Sequence, residues 1–198
     1  MFPNSEIFAL FPDNTVSTYG GFIHFKNSKI EPIECSDSDL KVLLVNTNVP
    51  RSTKSMVQAV NKMYQNYPEV VGPTLDAING VSEKSLEILR SNDTKNEHEI
   101  ISYLVDYNQK LLEALGVSHP ALEDVIKISK EFGLSAKLTG AGGGGFALIL
   151  LPPLIHEKTI IEIKERLVKK KFKCYQTCLG VEGVRVNIEN SDVVCISQ

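Results

Sequence analysis

Lys137-Leu138-Thr139-Gly140-Ala141-Gly142-Gly143-Gly144-Gly145 runs directly into Phe146-Ala147-Leu148-Ile149-Leu150-Leu151. A second apolar run, Leu134 to Leu138, precedes the glycines, so the cluster lies between two short strand-like segments. The spacing Gly140-x-Gly142-x-x-Gly145 has the form of a dinucleotide fingerprint, but that fingerprint must open a helix. Here a strand follows, closed by Pro152-Pro153, and no Gly-Lys-Ser/Thr completes a Walker loop. Each glycine weakens local order, because it gains no side-chain packing and loses the most backbone freedom. Something must offset that cost. Successive N–H groups with no Cβ to block approach form an anion-binding nest, and Lys137 and Thr139 stand beside it as a charge and a hydroxyl donor. Phosphate contact, a tight structural turn and a flexible linker are the three readings. Linkers rarely lie between two apolar strands, which favours the first.

Working outward, the segment before this one is helical. Leu122, Val125, Ile126, Ser129 and Phe132 mark one helix face, with Ser118 as the expected cap and Gly133 as the stop. Ile100, Ile101, Leu104, Val105, Asn108, Leu111, Leu112 and Leu115 mark another, closed by Gly116. A helix over about 69–90 is expected to be loose, since Gly72, Pro73 and Gly80 interrupt it. Met56, Val57, Val60, Met63, Tyr64 and Tyr67 define an earlier helix that Pro68 ends. Before it, VLLVNT (42–47) reads as a buried strand, ECSDSDLK (34–41) as a linker, and 16–33 as a hairpin turning at Lys26-Asn27-Ser28-Lys29. Beyond the glycines, a helix over about 156–170 is followed by strands at 172–178 and 184–189. Strands and helices mix without regular alternation, so the fold class is α+β.

A second chemical clue is Val49-Pro50-Arg51-Ser52-Thr53-Lys54, which opens the first long helix. Two cations at the positive end of a helix dipole are disfavoured by a few tenths of a kcal/mol unless an anion is near. Helix N-termini bind phosphates and carboxylates, and Ser52 and Thr53 add hydroxyls; a plain cap with incidental surface charge is the alternative. Asp13-Asn14, ahead of Val16-Ser17-Thr18-Tyr19-Gly20-Gly21, reads on its own as a turn. The Lys169-Lys170-Lys171 run fits a solvated helix C-terminus.

Bulk properties remove other classes. The 198 residues carry a net charge of −3, so nothing global suggests nucleic acid or an anionic membrane. The longest apolar run, Phe146 to Ile155, contains two prolines and falls short of the ~20 residues a membrane span needs. The N-terminus MFPNSEIFALFPD lacks the basic region of a signal peptide. Cys35, Cys174, Cys178 and Cys195 form no C-x-x-C, and the four histidines make no ligand pair, so a reducing, cytoplasmic setting without a transition-metal site is expected.

Taken together, PDNTVSTYGG, VLLVNTNVPRSTKSMV, LGVSHPALEDV and KLTGAGGGGFALILL resemble the mevalonate kinases, within the galactokinase/homoserine kinase/mevalonate kinase/phosphomevalonate kinase (GHMP) superfamily. The resemblance runs from about Pro12 to Val186. It implies a GHMP-kinase C-terminal domain over 36–198, a mixed or antiparallel sheet packed with several helices. Residues 12–35 are then a remnant hairpin of the N-terminal domain, and 1–11 an atypical leader. It implies ATP-dependent phosphorylation of the C5 hydroxyl of mevalonate to 5-phosphomevalonate, in isoprenoid and sterol synthesis. By position, Asp13 is the catalytic carboxylate that accepts or orients the hydroxyl proton. Arg51 and Thr53 lie near substrate and phosphates, and Lys137, Thr139, Gly140, Ala141, Gly142, Gly143 and Gly144 belong to the phosphate site. His119 also matches a family position; packing or capping accounts for it equally well.

The resemblance also sets an expectation of incompleteness. Mevalonate kinases are roughly twice this length, and their Gly/Ser-rich nucleotide loop and Mg²⁺ ligands have no counterpart among the twelve residues before Asp13. The chain alone is therefore expected to be inactive or weak, with ATP and Mg²⁺ as the family's cofactors and no metal ligand of its own. The alternative is a non-catalytic truncated paralogue acting as an interaction or dimerisation module. A homodimer is left open; nucleic-acid and membrane partners are not expected.

Overall fold

The computed structural model describes residues 16, 18–26, 29–33, 40–91, 96–189 and 192–196. Asp13, Cys35, the leader 1–11 and most of the 34–41 linker lie outside the described residues. In chain order the elements are β1 (Phe22–Lys26), β2 (Lys29–Ile33), β3 (Lys41–Asn46), α1 (Thr53–Asn66), α2 (Pro68–Arg90), α3 (Glu97–Ala114) and α4 (Pro120–Glu131). They continue as β4 (Ala136–Leu138), β5 (Phe146–Leu150), α5 (Glu157–Lys169), β6 (Lys173–Cys178), β7 (Arg185–Glu189) and β8 (Asp192–Ile196). The arrangement is α+β: an antiparallel sheet in the order β4-β5-β3-β6, two separate hairpins (β1–β2 and β7–β8), and five helices among the described residues.

The sheet centres on β3, whose Val42, Leu43 and Val45 are fully buried. Its register, Val45 opposite Ala147 and Cys174, and Leu43 opposite Ile149, puts Leu43, Val45, Ala147, Ile149, Ala136 and Leu138 on one face. There they meet Val60, Leu75, Leu112, Leu122, Val125, Ile163 and Leu167 of the helices. Each fully buried aliphatic side chain contributes about 1.5–3 kcal/mol relative to exposure. Pairing alternates faces, so Lys137, Leu148, Leu44 and Tyr175 share the opposite one. Towards the Val42 end this second face is covered by a smaller cluster with Leu40, Val81, Ile101, Leu104 and Leu150.

Most expected elements form within a residue or two of their expected bounds, with two differences. The helix expected to be loose is one continuous 23-residue element, α2, with Pro73 inside it. Proline removes only the hydrogen bond to the Glu69 carbonyl, one turn from the start, and burial of Val71, Leu75, Ile78, Val81 and Leu86 outweighs that loss. The strand β8 adds a partner to β7 that the alternation at 184–189 did not announce.

Strand β4 sits at the sheet edge, where a backbone N–H would lack a partner. The buried Gln109 of α3 supplies one: its Oε1 accepts from Leu138 N–H at 2.8 Å, while its Nε2 donates to Glu113. Gln109→Leu is expected to lower stability by about 1–3 kcal/mol, because a buried donor loses its acceptor. A urea-denaturation midpoint that does not move would refute this.

Candidate functional site

The glycine loop closes the strand pair β4–β5. The Thr139 N–H and hydroxyl both donate to the Phe146 carbonyl (3.0 and 3.2 Å), sealing its base. Two connections then grip it from outside. The stretch between β3 and α1 contributes Thr47, whose N–H and hydroxyl donate to the Gly145 carbonyl (2.9 and 2.8 Å), and Val49, whose carbonyl accepts from Gly145 N–H at 3.1 Å. The turn between α3 and α4 contributes the Val117 carbonyl, which accepts from Gly143 N–H at 2.9 Å.

Glycine is required here for geometric reasons. At Gly142 φ is +80°, and a Cβ would stand 2.0 Å from the Val117 carbonyl oxygen. At Gly144 φ is +133°, and a Cβ would stand 2.7 Å from Val49 Cγ1. The loop is a packed turn held by its neighbours, so the linker reading is set aside. Among the described residues, the N–H groups of Gly140, Ala141, Gly142 and Gly144 donate to no backbone carbonyl; Gly140 is exposed, whereas Ala141, Gly142 and Gly144 are buried.

Arg51 lies against this loop. One guanidinium nitrogen donates to the Thr139 carbonyl at 3.1 Å, and the side chain crosses the open sides of Gly140 and Gly145, within 2.8 Å of where a Cβ would stand. Its remaining donors are exposed. Arg51 immediately precedes α1, whose N-cap Ser52 accepts from Ser55 N–H and whose first turn contains no acid. Thr53 is the first helical residue, and its hydroxyl has no partner among the described residues. Arg51, Thr53 and Gly140 to Gly144 therefore come together, with α1's positive end aimed into the same region. Asp13 lies outside the described residues.

Two of the sequence-derived candidates are engaged differently. The Thr139 hydroxyl is spent on closing the loop. Lys137 sits on the second sheet face, and its ammonium donates to the neighbouring Leu138 carbonyl at 2.8 Å. Burial pushes the Lys137 amine down to about 8. A lysine depressed in the folded state binds fewer protons than the unfolded chain between about pH 8 and its ordinary value of 10.5, so stability rises with pH across that window. Lys137→Met is expected to raise stability at pH 7 by about 1–3 kcal/mol and to flatten the rise. Parallel pH–stability curves for the two proteins would exclude this.

His119, not Ser118, caps α4. Its ring Nδ1 accepts from Ala121 N–H at 3.1 Å, which fixes the neutral tautomer with the proton on Nε2. Ser118 Oγ is buried with no hydrogen-bond partner among the described residues. Serine is the commoner cap, but here Pro120 at the first helical position shifts the boundary by one residue. The sequence did not single out Asn48, which holds φ at +58° and donates through Nδ2 to the Lys171 carbonyl at 2.7 Å, shaping the β3–α1 connection. The only available signal was that asparagine tolerates this conformation.

Among the described residues no group of three or more His, Cys, Asp or Glu side chains could hold a metal ion, and no helix is long and apolar enough to cross a membrane.

With this geometry in place, comparison with known proteins gives a consistent result. Residues 84–174 match the family described as GHMP kinases C terminal. The mevalonate kinase of Mus musculus is 38% identical over 175 residues, covering 87% of this chain and 44% of the relative. That of Homo sapiens is 35% identical, covering 90% and 46%. Among solved structures, L. major mevalonate kinase in complex with R-mevalonate aligns with a TM-score of 0.68 at 25% identity, covering 86% of this chain and 53% of that one. Methanococcus jannaschii mevalonate kinase aligns at 0.62 and 28% identity. The chain spans about half the length of the relatives it matches.

Proposed function

We propose, from the premise that this chain is a homologue of mevalonate kinases with a GHMP-kinase C-terminal domain, that it serves ATP-dependent phosphorylation of the mevalonate C5 hydroxyl, in a cytoplasmic isoprenoid and sterol pathway. One observation carries the reading: Arg51 and the N-terminus of α1 face a glycine loop with backbone donors to spare.

Phosphoryl transfer proceeds through a loose transition state, so a protein accelerates it mainly by positioning and by stabilising charge. ATP, when bound, supplies the γ-phosphoryl group. Arg51 and the free N–H groups of the loop are placed to hold phosphate oxygens. Thr53, with its unpartnered hydroxyl at the helix start, is placed to donate to a phosphate or to the substrate. Asp13 orients the attacking hydroxyl. The described residues offer no cluster fit for Mg²⁺. On this reading residues 36–198 are the C-terminal domain, 12–35 belong with the N-terminal domain, and 1–11 are a leader.

These residues span about half the length of the mevalonate kinases they match, so on their own they are expected to turn over weakly or not at all. The test joins a coupled ADP-release assay with calorimetric titration of ATP and of mevalonate into the purified chain. Binding of at least one ligand, with release far slower than that of a full-length relative, is expected. Full-length-like turnover overturns the weak-activity reading, and binding of neither ligand overturns the assignment. Release with galactose or homoserine but not mevalonate moves the substrate to a sister enzyme.

A further inference from the structure

The hairpin β1–β2 meets the rest of the chain at a crossing of two backbones. Gly20 forms an antiparallel bridge with Glu182, and Gly21 N–H donates to the Val181 carbonyl at 2.9 Å. The approach is too close for any side chain. A Cβ on Gly20 would stand 2.2 Å from Gly183 N, and one on Gly183 would stand 2.3 Å from the Thr18 carbonyl oxygen. On the next turn of the same segment, a Cβ on Gly180 would stand 2.3 Å from the Phe22 ring. Glycines on both strands thus permit an interlock that neither sheet ladder provides.

Phe22 of β1 also packs against the cluster of Leu40, Val81, Ile101 and Leu104, and two ion pairs tie the hairpin to the helices in a different way. Lys26 pairs with Glu83, and Arg90 pairs with Glu31 at 2.7 Å, all four side chains being well exposed. Exposed pairs of this sort contribute little and are screened by salt. A backbone-to-backbone contact at van der Waals limits cannot slide without breaking, because packed protein is bistable rather than continuously deformable.

We propose that this glycine crossing is a rigid joint that sets the angle between the β1–β2 hairpin and the four-stranded lobe.

The test uses the full chain with spin labels introduced as non-canonical residues at Lys29 in the hairpin and Gln58 in α1, leaving the native cysteines in place. A single narrow label-to-label distance is expected, unchanged by 1 M salt and unchanged in Lys26→Ala. Gly183→Ala is expected to lose the narrow peak, while hydrogen exchange in β3 and β5 stays at the wild-type level. Gly21→Ala, which meets nothing within 4 Å but carries a φ of +69°, adds backbone strain without the clash and is expected to keep the peak. A broad distance in the wild type, or a narrow peak that salt abolishes, overturns the proposal without recourse to any variant. So does an unchanged peak in Gly183→Ala, or exchange that accelerates throughout that variant. No readout involves mevalonate or ATP, so the joint and the kinase reading fail separately.

Discussion

Gly142→Ala is expected to lower the stability of the folded chain by about 2–5 kcal/mol, the sum of an overpacking cost and a left-handed backbone cost. The methyl group would stand 2.0 Å from the Val117 carbonyl oxygen, and that oxygen is held by Gly143 N–H. Backbone has nowhere to move on either side: Gly143 is tied to the α3–α4 turn and Gly145 to Val49. The clash is relieved only by breaking the Gly143 hydrogen bond and lifting the loop from the turn before α4. Ligand protection should vanish with it, since the free N–H groups depend on the same conformation. Urea denaturation with and without ATP reads both effects. A loss under 1 kcal/mol would mean that the loop is softer than its packing implies.

The second large effect is expected at Arg51. Its guanidinium combines a hydrogen bond to Thr139 with contact across Gly140 and Gly145. Arg51→Ala removes both the cation proposed above to hold phosphate and the side chain that covers the loop. Charge-assisted hydrogen bonds contribute about 1.5–3 kcal/mol each, so the ATP dissociation constant should rise by about 10–100-fold. The unfolding midpoint should move little, because the side chain is exposed. Arg51→Lys separates the roles: it keeps the charge but not the planar fork, and should recover only part of the affinity. An unchanged dissociation constant in Arg51→Ala would remove Arg51 from the ligand site.

The helices and the strands of the main sheet were legible because their apolar spacing is strong and local. Residues 42–45 of β3 are apolar without interruption, as a strand buried on both faces must be, and α3 and α4 end at glycines that stop a helix for steric reasons. Local signals misled where two of them competed. Ser118 and His119 could each have capped α4, and the choice fell to the position of Pro120. Pro73 suggested a break in α2, whereas five buried side chains in tertiary contact hold the helix together.

Within the site, residue identity by itself established that a glycine-rich turn joins two strands and that cations stand at a helix start. It could not establish which donors remain free, because that depends on partners far away in sequence. Thr139 and Lys137 lie beside the glycines in the chain, yet the first is consumed by the Phe146 carbonyl and the second faces the other side of the sheet. Arg51 is 88 residues from Thr139 in sequence and in hydrogen-bond contact with it in space. Periodicity and glycine sterics act over a few residues, so the sequence alone determined most of the elements, the α+β class and the existence of the loop. Which side chains surround that loop is set by long-range packing, and only the tertiary structure decided that Val49, Arg51 and Val117 close around it.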